Sequence, residues 1–312
     1  MGDLLLASPA LLALRRRYPR ARLTALGHPG RWGLLSRTLG LAAVWDSGAA
    51  AWLPLFSAAP LPPVLKERLA AFQLALVFSP GPQAGLLENL GRAGVSRVCW
   101  LPSFADAVGE PVAVLQARRL ASLGLAYEPR PFRLNGLAQE AGPAISGPGP
   151  WLAVAPGSGH PRKNWPLSHY YEAARTLAWE HKMQVVWLTG PAEAAMLPFI
   201  QGLAAAQGHR VVDCQPLARV AAVLAQCRLY LGNDSGLTHL AAAAGTGGVV
   251  GLFGPTDPAV WAPPGRRVTI LAGSCPQAPC ARGREIPCGE PRCLRELSPE
   301  QVIAAAAARL AG

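Results

Sequence analysis

At 312 residues the chain exceeds what a single hydrophobic core usually supports, and its length favours two compact units. A hydrophobic share of 51% against 15% charged residues excludes global disorder, and no apolar run reaches the ~18 to 20 residues that cross a bilayer. The net charge of +11 favours an anionic partner, but the arginines are scattered and carry no aromatic-interleaved pattern, so nucleic acid is not the expected partner.

The chain opens with Asp3 and an apolar segment that ends in Arg15, Arg16 and Arg17. That order reverses the charge pattern of a secretory signal, and a cytoplasmic protein is expected. Ser8 followed by Pro9 predicts a helix start, the serine as cap and the proline at the first helical position, with the helix running to about Tyr18. Arg22 to Gly27 then reads as a strand, Arg31 to Leu39 as a helix, Leu74 to Phe78 as a buried strand, Leu86 to Ala93 as a helix and Val112 to Leu123 as another. In a doubly wound half the first helix follows a buried strand, whereas this chain opens in the loop before that helix. The first strand of the N-terminal domain is therefore expected to be missing, leaving strand edges unpaired.

A Gly- and Pro-rich stretch, Gly136 to Pro150, predicts a linker between domains at 1–140 and 151–312. Beyond it the alternation resumes. Strands are expected at Leu152 to Ala155, Gln184 to Leu188, Val211 to Asp213, Leu229 to Leu231 and Val249 to Phe253, with helices at Ser168 to His181, Ala192 to Ala206, Leu217 to Ala225 and Gly236 to Ala244. A closing helix spans Pro299 to Leu310. Repeated βα units of this kind specify an α/β fold, a parallel sheet with helices on both faces.

Three strand ends carry the chemistry. Ala155 to Pro166 follows a buried strand with small residues that expose backbone N–H groups, the hydroxyl of Ser158, and the charges of Arg162 and Lys163. That set suits a phosphate; the alternative is a Gly/Pro-rich surface turn. Gly232 to His239 also follows a strand and opens a helix, whose N-terminus attracts anions. Asp234 or Ser235 at that position also serves as an N-cap, and His239 lies one turn further along the same helix. At the third strand end, Glu193 is placed either to accept from a ribose or to favour the first turn of its helix. Parallel α/β sheets bind ligands at the carboxyl ends of their strands.

Gly2 to Leu11, Pro156 to Pro166, Gly232 to His239 and Leu252 to Pro258 together resemble glycosyltransferase family 9, the heptosyltransferases of the lipopolysaccharide inner core, in the same order over nearly the whole chain. The resemblance implies a GT-B fold of two Rossmann-like doubly wound domains facing across a cleft, with ADP-heptose on the C-terminal domain and the acceptor on the N-terminal one. It further implies Asp3 as general base, Lys163 and Ser158 on the diphosphate, and Glu193 at the nucleoside. Asp234, Ser235, Gly236 and His239 would complete the donor pocket. The partners expected on this basis are a nucleotide-diphosphate sugar and a glycolipid acceptor at the inner face of the cytoplasmic membrane, with the protein a monomer, cytoplasmic or peripheral, that requires no cofactor. Transfer would invert the anomeric centre. The alternatives are a nucleotide-sugar epimerase of the same fold and a non-catalytic nucleotide-sugar-binding protein.

Of seven cysteines, Cys99, Cys214 and Cys227 read as isolated buried thiols. Cys275, Cys280, Cys288 and Cys293 form a cluster, with four residues inside each pair and seven between the pairs. Four thiolates suit a structural zinc, but the spacing sits at the edge of the usual range. Reduced thiols and zinc both stay open.

Overall fold

The computed structural model describes residues 1–103, 109–137, 145, 147, 149–281 and 285–311. Most of the expected linker, residues 138–144, 146 and 148, lies outside that set. The chain divides into two compact units, one made of Met1–Leu6 with Arg130–Gly312 and the other of Ala7–Pro129. The division falls ahead of the expected linker, and the first six residues go with the C-terminal half.

The larger unit is built on a six-stranded parallel sheet. Its strands are β5 (Trp151–Ala155), β6 (Gln184–Thr189), β7 (Arg210–Asp213), β8 (Leu229–Asn233), β9 (Val249–Phe253) and β10 (Val268–Ala272), and their order across the sheet is β10-β9-β8-β5-β6-β7. Every residue of β5, β8 and β9 is buried. These strands read as nearly continuous Val, Leu and Ala runs because helices cover both faces. The helices of this unit are α6 (Leu167–Glu180), α7 (Leu197–Gln207), α8 (Leu217–Gln226), α9 (Gly236–Ala244), α10 (Pro258–Trp261), α11 (Arg292–Arg295) and α12 (Pro299–Ala311). α12 buries Val302 and Ala306 in the same core as Trp165, Tyr170 and Leu177 of the α6 region, so the last helix completes the C-terminal core.

One expected element differs here, and one strand is additional. The helix expected from Ala192 is a short 3-10 turn, Pro191–Glu193, after which α7 begins at Leu197. Pro198 has no N–H to donate and is accommodated only in a first helical turn. The edge strand β10 went unassigned in the sequence because its five residues, VTILA, are half-exposed and too short to show a period.

The smaller unit contains β1 (Leu23–Gly27), α2 (Pro29–Leu39), β2 (Leu41–Asp46), α3 (Pro63–Ala70), β3 (Leu74–Ser79), α4 (Ala84–Arg92), β4 (Arg97–Pro102) and α5 (Val112–Ala121). Among the described residues β1 pairs with β2 and β3 with β4, both in parallel. All six residues of β3 are half-buried, unlike the inner strands of the larger sheet.

The first helix, α1, covers Gly2–Arg17 with Pro9 in its interior. The expected cap at Ser8 is thus corrected: Ser8 is fully buried mid-helix. Every residue from Leu5 to Leu11 is buried, so the helix is enclosed on all sides on both flanks of the proline. That burial outweighs the single bond Pro9 cannot donate. Cys214 is also corrected, being exposed in a turn at φ 46° immediately after β7, while Cys99 is half-buried and Cys227 buried.

Candidate functional site

The order of the larger sheet reverses between β5 and β8. These two strands are neighbours, but β5 is followed by β6 on one side and β8 by β9 on the other. A crevice opens beyond the carboxyl ends at such a switch point. Both phosphate-suited segments start there, one at Pro156 after β5 and one at Asp234 after β8.

Asn233, the last residue of β8 and fully buried, ties the two loops together. Its Oδ1 accepts the Trp165 N–H at 2.9 Å and its Nδ2 donates to the Pro156 carbonyl at 2.6 Å. Ahead of Trp165 a short 3-10 turn, Pro161–Lys163, is closed by the Arg162 N–H bonding to His160 Nδ1 at 3.1 Å. That turn aims the Lys163 ammonium at the Asp234 carboxylate, and the two form an ion pair across the switch point. Thr256, in the loop after β9, donates its hydroxyl to Asp234 Oδ2 at 2.7 Å. The carboxylate is thereby held from two sides while the lysine side chain keeps 20% of its surface open.

Ser158 is buried, with its Oγ 2.8 Å from the His160 carbonyl and 2.7 Å from Asn164 Oδ1, so its one proton closes the 158–164 loop on itself. Ser235 caps α9 by accepting the Leu237 N–H at 3.3 Å. The cap therefore falls to Ser235, and the adjacent Asp234 is left to the ion pair with Lys163. Glu193 is buried and accepts the Gly190 N–H at 2.8 Å. Burial raises its pKa, against the lowering effect of the N–H groups of Gly190, Glu193 and Gly157. Its carboxylate thus packs between the loops that follow β5 and β6.

His239 lies inside α9 and is buried. Desolvation drives its pKa down to about 4, with the Asp234 carboxylate opposing and the Lys163 ammonium and the chain's amino terminus assisting, so the ring is neutral at neutral pH. Gly2 lies against it: a Cβ on Gly2 would be 3.5 Å from His239 Cδ2, and one on Gly236 would be 3.1 Å from the Gly2 nitrogen. The absence of a side chain at Gly236 is what lets the start of α1 approach the N-terminal start of α9. Asp3, in the first turn of α1, belongs to the same compact unit as the two loops and is exposed.

The structure thus brings together Lys163, Asp234, Ser235, Gly236 and His239, with Ser158 and Glu193 in the supporting loops. Asn233 and Thr256 stood inside stretches singled out in the sequence without a role of their own. The available signal was a polar residue closing an otherwise apolar strand at Asn233; nothing local marks Thr256, whose partner is 22 residues away.

Residues 104–288 match the family model described as glycosyltransferase family 9 (heptosyltransferase), which is more than half of the chain. The chain belongs to glycosyltransferase family 9. Lipopolysaccharide heptosyltransferase 1 of Pseudomonas aeruginosa is 30% identical over 230 residues, covering 71% of this chain and 62% of that relative, so the chain spans less than two thirds of the relative's length. Among solved structures, the family 9 glycosyl transferase of Veillonella parvula superposes with a TM-score of 0.77 at 19% identity, covering 100% of this chain and 94% of the other. The ADP-heptose lipopolysaccharide heptosyltransferase II of E. coli gives 0.74 at 20% identity, covering 99% and 96%. At these identities the superpositions show the fold, which is the GT-B class of this family.

The family 9 chain carries its cysteine cluster beside the site. Cys280 N–H donates to the Pro255 carbonyl at 2.8 Å, and Cys293 is buried with its Sγ against Gly254. Burial pushes the Cys293 thiol up to about 11, with Cys275, Cys280 and Cys288 adding to the rise. Among the described residues no three His, Cys, Asp or Glu side chains are gathered closely enough to hold a metal ion. No helix among the described residues is long and apolar enough to cross a membrane.

Proposed function

We propose that this chain transfers a heptosyl unit from ADP-heptose to a lipopolysaccharide-core acceptor at the inner face of the cytoplasmic membrane, with inversion at the anomeric carbon. The observation that carries the reading is the Lys163–Asp234 ion pair, which joins two strand-end loops at the switch point of a Rossmann-ordered sheet. Family membership and the ADP-heptose in the name of the E. coli structural relative support the donor.

As the anomeric bond breaks, negative charge grows on the diphosphate. In this reading Lys163 and the N–H groups at the start of α9 sit where that charge develops, in a largely buried setting, and lower the barrier by electrostatic stabilisation. Asp234 keeps Lys163 oriented before the donor arrives. Ser158 holds the 158–164 loop in shape for the phosphates, and Glu193 faces the nucleoside end. Asp3 removes the proton from the attacking acceptor hydroxyl. The neutral His239 ring adds no charge that would compete with Lys163 for the diphosphate. On this scheme the transferase needs no metal ion, and it acts as a monomer in the cytoplasm or on the membrane face.

The test is ADP release by the purified chain supplied with ADP-heptose, with and without a heptose-free lipopolysaccharide core, in the presence of EDTA. Acceptor-dependent release, lowered by at least about tenfold in Lys163→Ala, is expected. Interconversion of the sugar nucleotide without acceptor would assign an epimerase instead, and an unimpaired Lys163→Ala would remove the lysine from the mechanism.

A further inference from the structure

Between β2 and β3 the chain has no ionisable side chain from Ser47 to Leu65. The 3-10 turn in that segment, Ala50–Phe56, is apolar on both of its faces. Trp52 and Leu55 point into the core of the smaller unit. Leu53 and Phe56, three residues apart and so on one side of a 3-10 turn, stand 66% and 56% exposed, and Val64 at the start of α3 is 70% exposed.

This turn is held rather than slack. Asn89 on α4 is buried and donates to the carbonyls of Leu55 at 3.0 Å and Ser57 at 2.9 Å. Trp45 stacks on Trp52 with ring centroids 5.1 Å apart, and the Arg68 guanidinium lies over both rings at 5.5 and 5.9 Å. A buried amide that uses its donors on two backbone carbonyls keeps Leu53 and Phe56 presented outward. Exposed apolar side chains kept in place this way mark an interaction surface.

Charge selects the partner. The unit that carries the turn, Ala7–Pro129, has thirteen Lys and Arg against six Asp and Glu, a net +7 of the chain's +11. The first ionisable residue after Val64 is the exposed Lys66. A basic body with a fixed apolar protrusion is complementary to an anionic bilayer, whose headgroups attract the cations while its acyl boundary receives the apolar tips. We infer that Leu53 and Phe56 form a docking lip that inserts into the interface of an anionic phospholipid bilayer. Docking of this kind needs no sugar nucleotide, so it stands or falls separately from the transfer reading.

Co-sedimentation of the full chain with vesicles of phosphatidylglycerol and phosphatidylcholine, without nucleotide, tests it. The wild-type chain is expected to bind these vesicles and not vesicles of phosphatidylcholine alone. Leu53→Ser with Phe56→Ser should weaken binding roughly tenfold and Lys66→Glu by about threefold, with melting temperature unchanged because the altered side chains are exposed. Failure of the wild-type chain to bind the anionic vesicles, or undiminished binding by the double variant, overturns the proposal. A concentration-dependent dimer in light scattering that the same double substitution dissolves also overturns it, since the lip would then be a self-association surface.

Discussion

The carboxylate of Glu193 occupies the space that a side chain on Gly157 would need: a methyl group at residue 157 would overlap Oε1. The contact joins the loops that follow β5 and β6. Gly157→Ala is therefore expected to push Glu193 off its Gly190 bond and to destabilise the chain by ~2 kcal/mol, the usual range for overpacking. Gly159→Ala, with open space around its Cβ, is the control and should leave stability within about 0.5 kcal/mol. Urea unfolding of the two variants checks both, and equal stabilities would mean that the carboxylate relocates freely.

Asn233→Ala removes one acceptor and one donor that are both buried, leaving the Trp165 N–H and the Pro156 carbonyl without partners. Each orphaned buried group costs about 1–3 kcal/mol, so a loss of ~3 kcal/mol in unfolding free energy is expected, accompanied by weaker ADP binding in calorimetry because the 156–166 loop is no longer tied to β8. Full ADP affinity in a destabilised Asn233→Ala chain would confine Asn233 to a structural role.

The larger unit was largely legible because its strands are buried on both faces. Continuous runs such as VVGLF and LYLGN announce themselves by composition, and the segments after them carry their chemistry in order. The smaller unit was legible in part. LAAVWD and RVCWLP mix exposed and half-buried positions and show neither alternation nor a full apolar run, so β2 and β4 went unseen. Ser8-Pro9 misled because a local capping signal competes with a continuously buried run that begins at Leu5. The Lys163–Asp234 meeting followed from topology, since both lie at strand ends that a doubly wound order brings together. The Thr256 hydroxyl on Asp234 was not legible, because a contact made 22 residues away leaves no local pattern.

Thr256→Val keeps the shape of the side chain and deletes the hydrogen bond to Asp234 Oδ2. A hydrogen bond to a charged group contributes ~1.5–3 kcal/mol, but Lys163 still pairs with the carboxylate, so part of the orientation survives. An increase of about tenfold in KM for the sugar nucleotide is expected, with kcat changed by less than about threefold, because the hydroxyl positions Asp234 rather than meeting the reacting bond. A proportionate fall in kcat with unchanged KM would instead place Thr256 at the transition state.

Burial of His239 makes stability depend on pH. Its folded pKa is lowered to about 4 from 6.5, so between those values the unfolded chain binds a proton that the folded chain does not. Stability therefore rises with pH across this window and is lost as pH falls through it. A shift of this size corresponds to about 3 kcal/mol. Glu193 works in the opposite sense: burial raises its pKa from 4.5, which favours the folded state at acid pH and loses that contribution as pH rises, so it masks part of the histidine effect near the lower end of the window. Urea unfolding at pH 7.5, about 6 and about 5 should show wild-type stability falling steadily, while His239→Gln, which cannot take up a proton, shows a flatter profile over the same interval. Parallel profiles would mean that the ring is solvated or protonated in the folded chain, and that the neutral imidazole beside Lys163 and Asp234 is not a feature of the site.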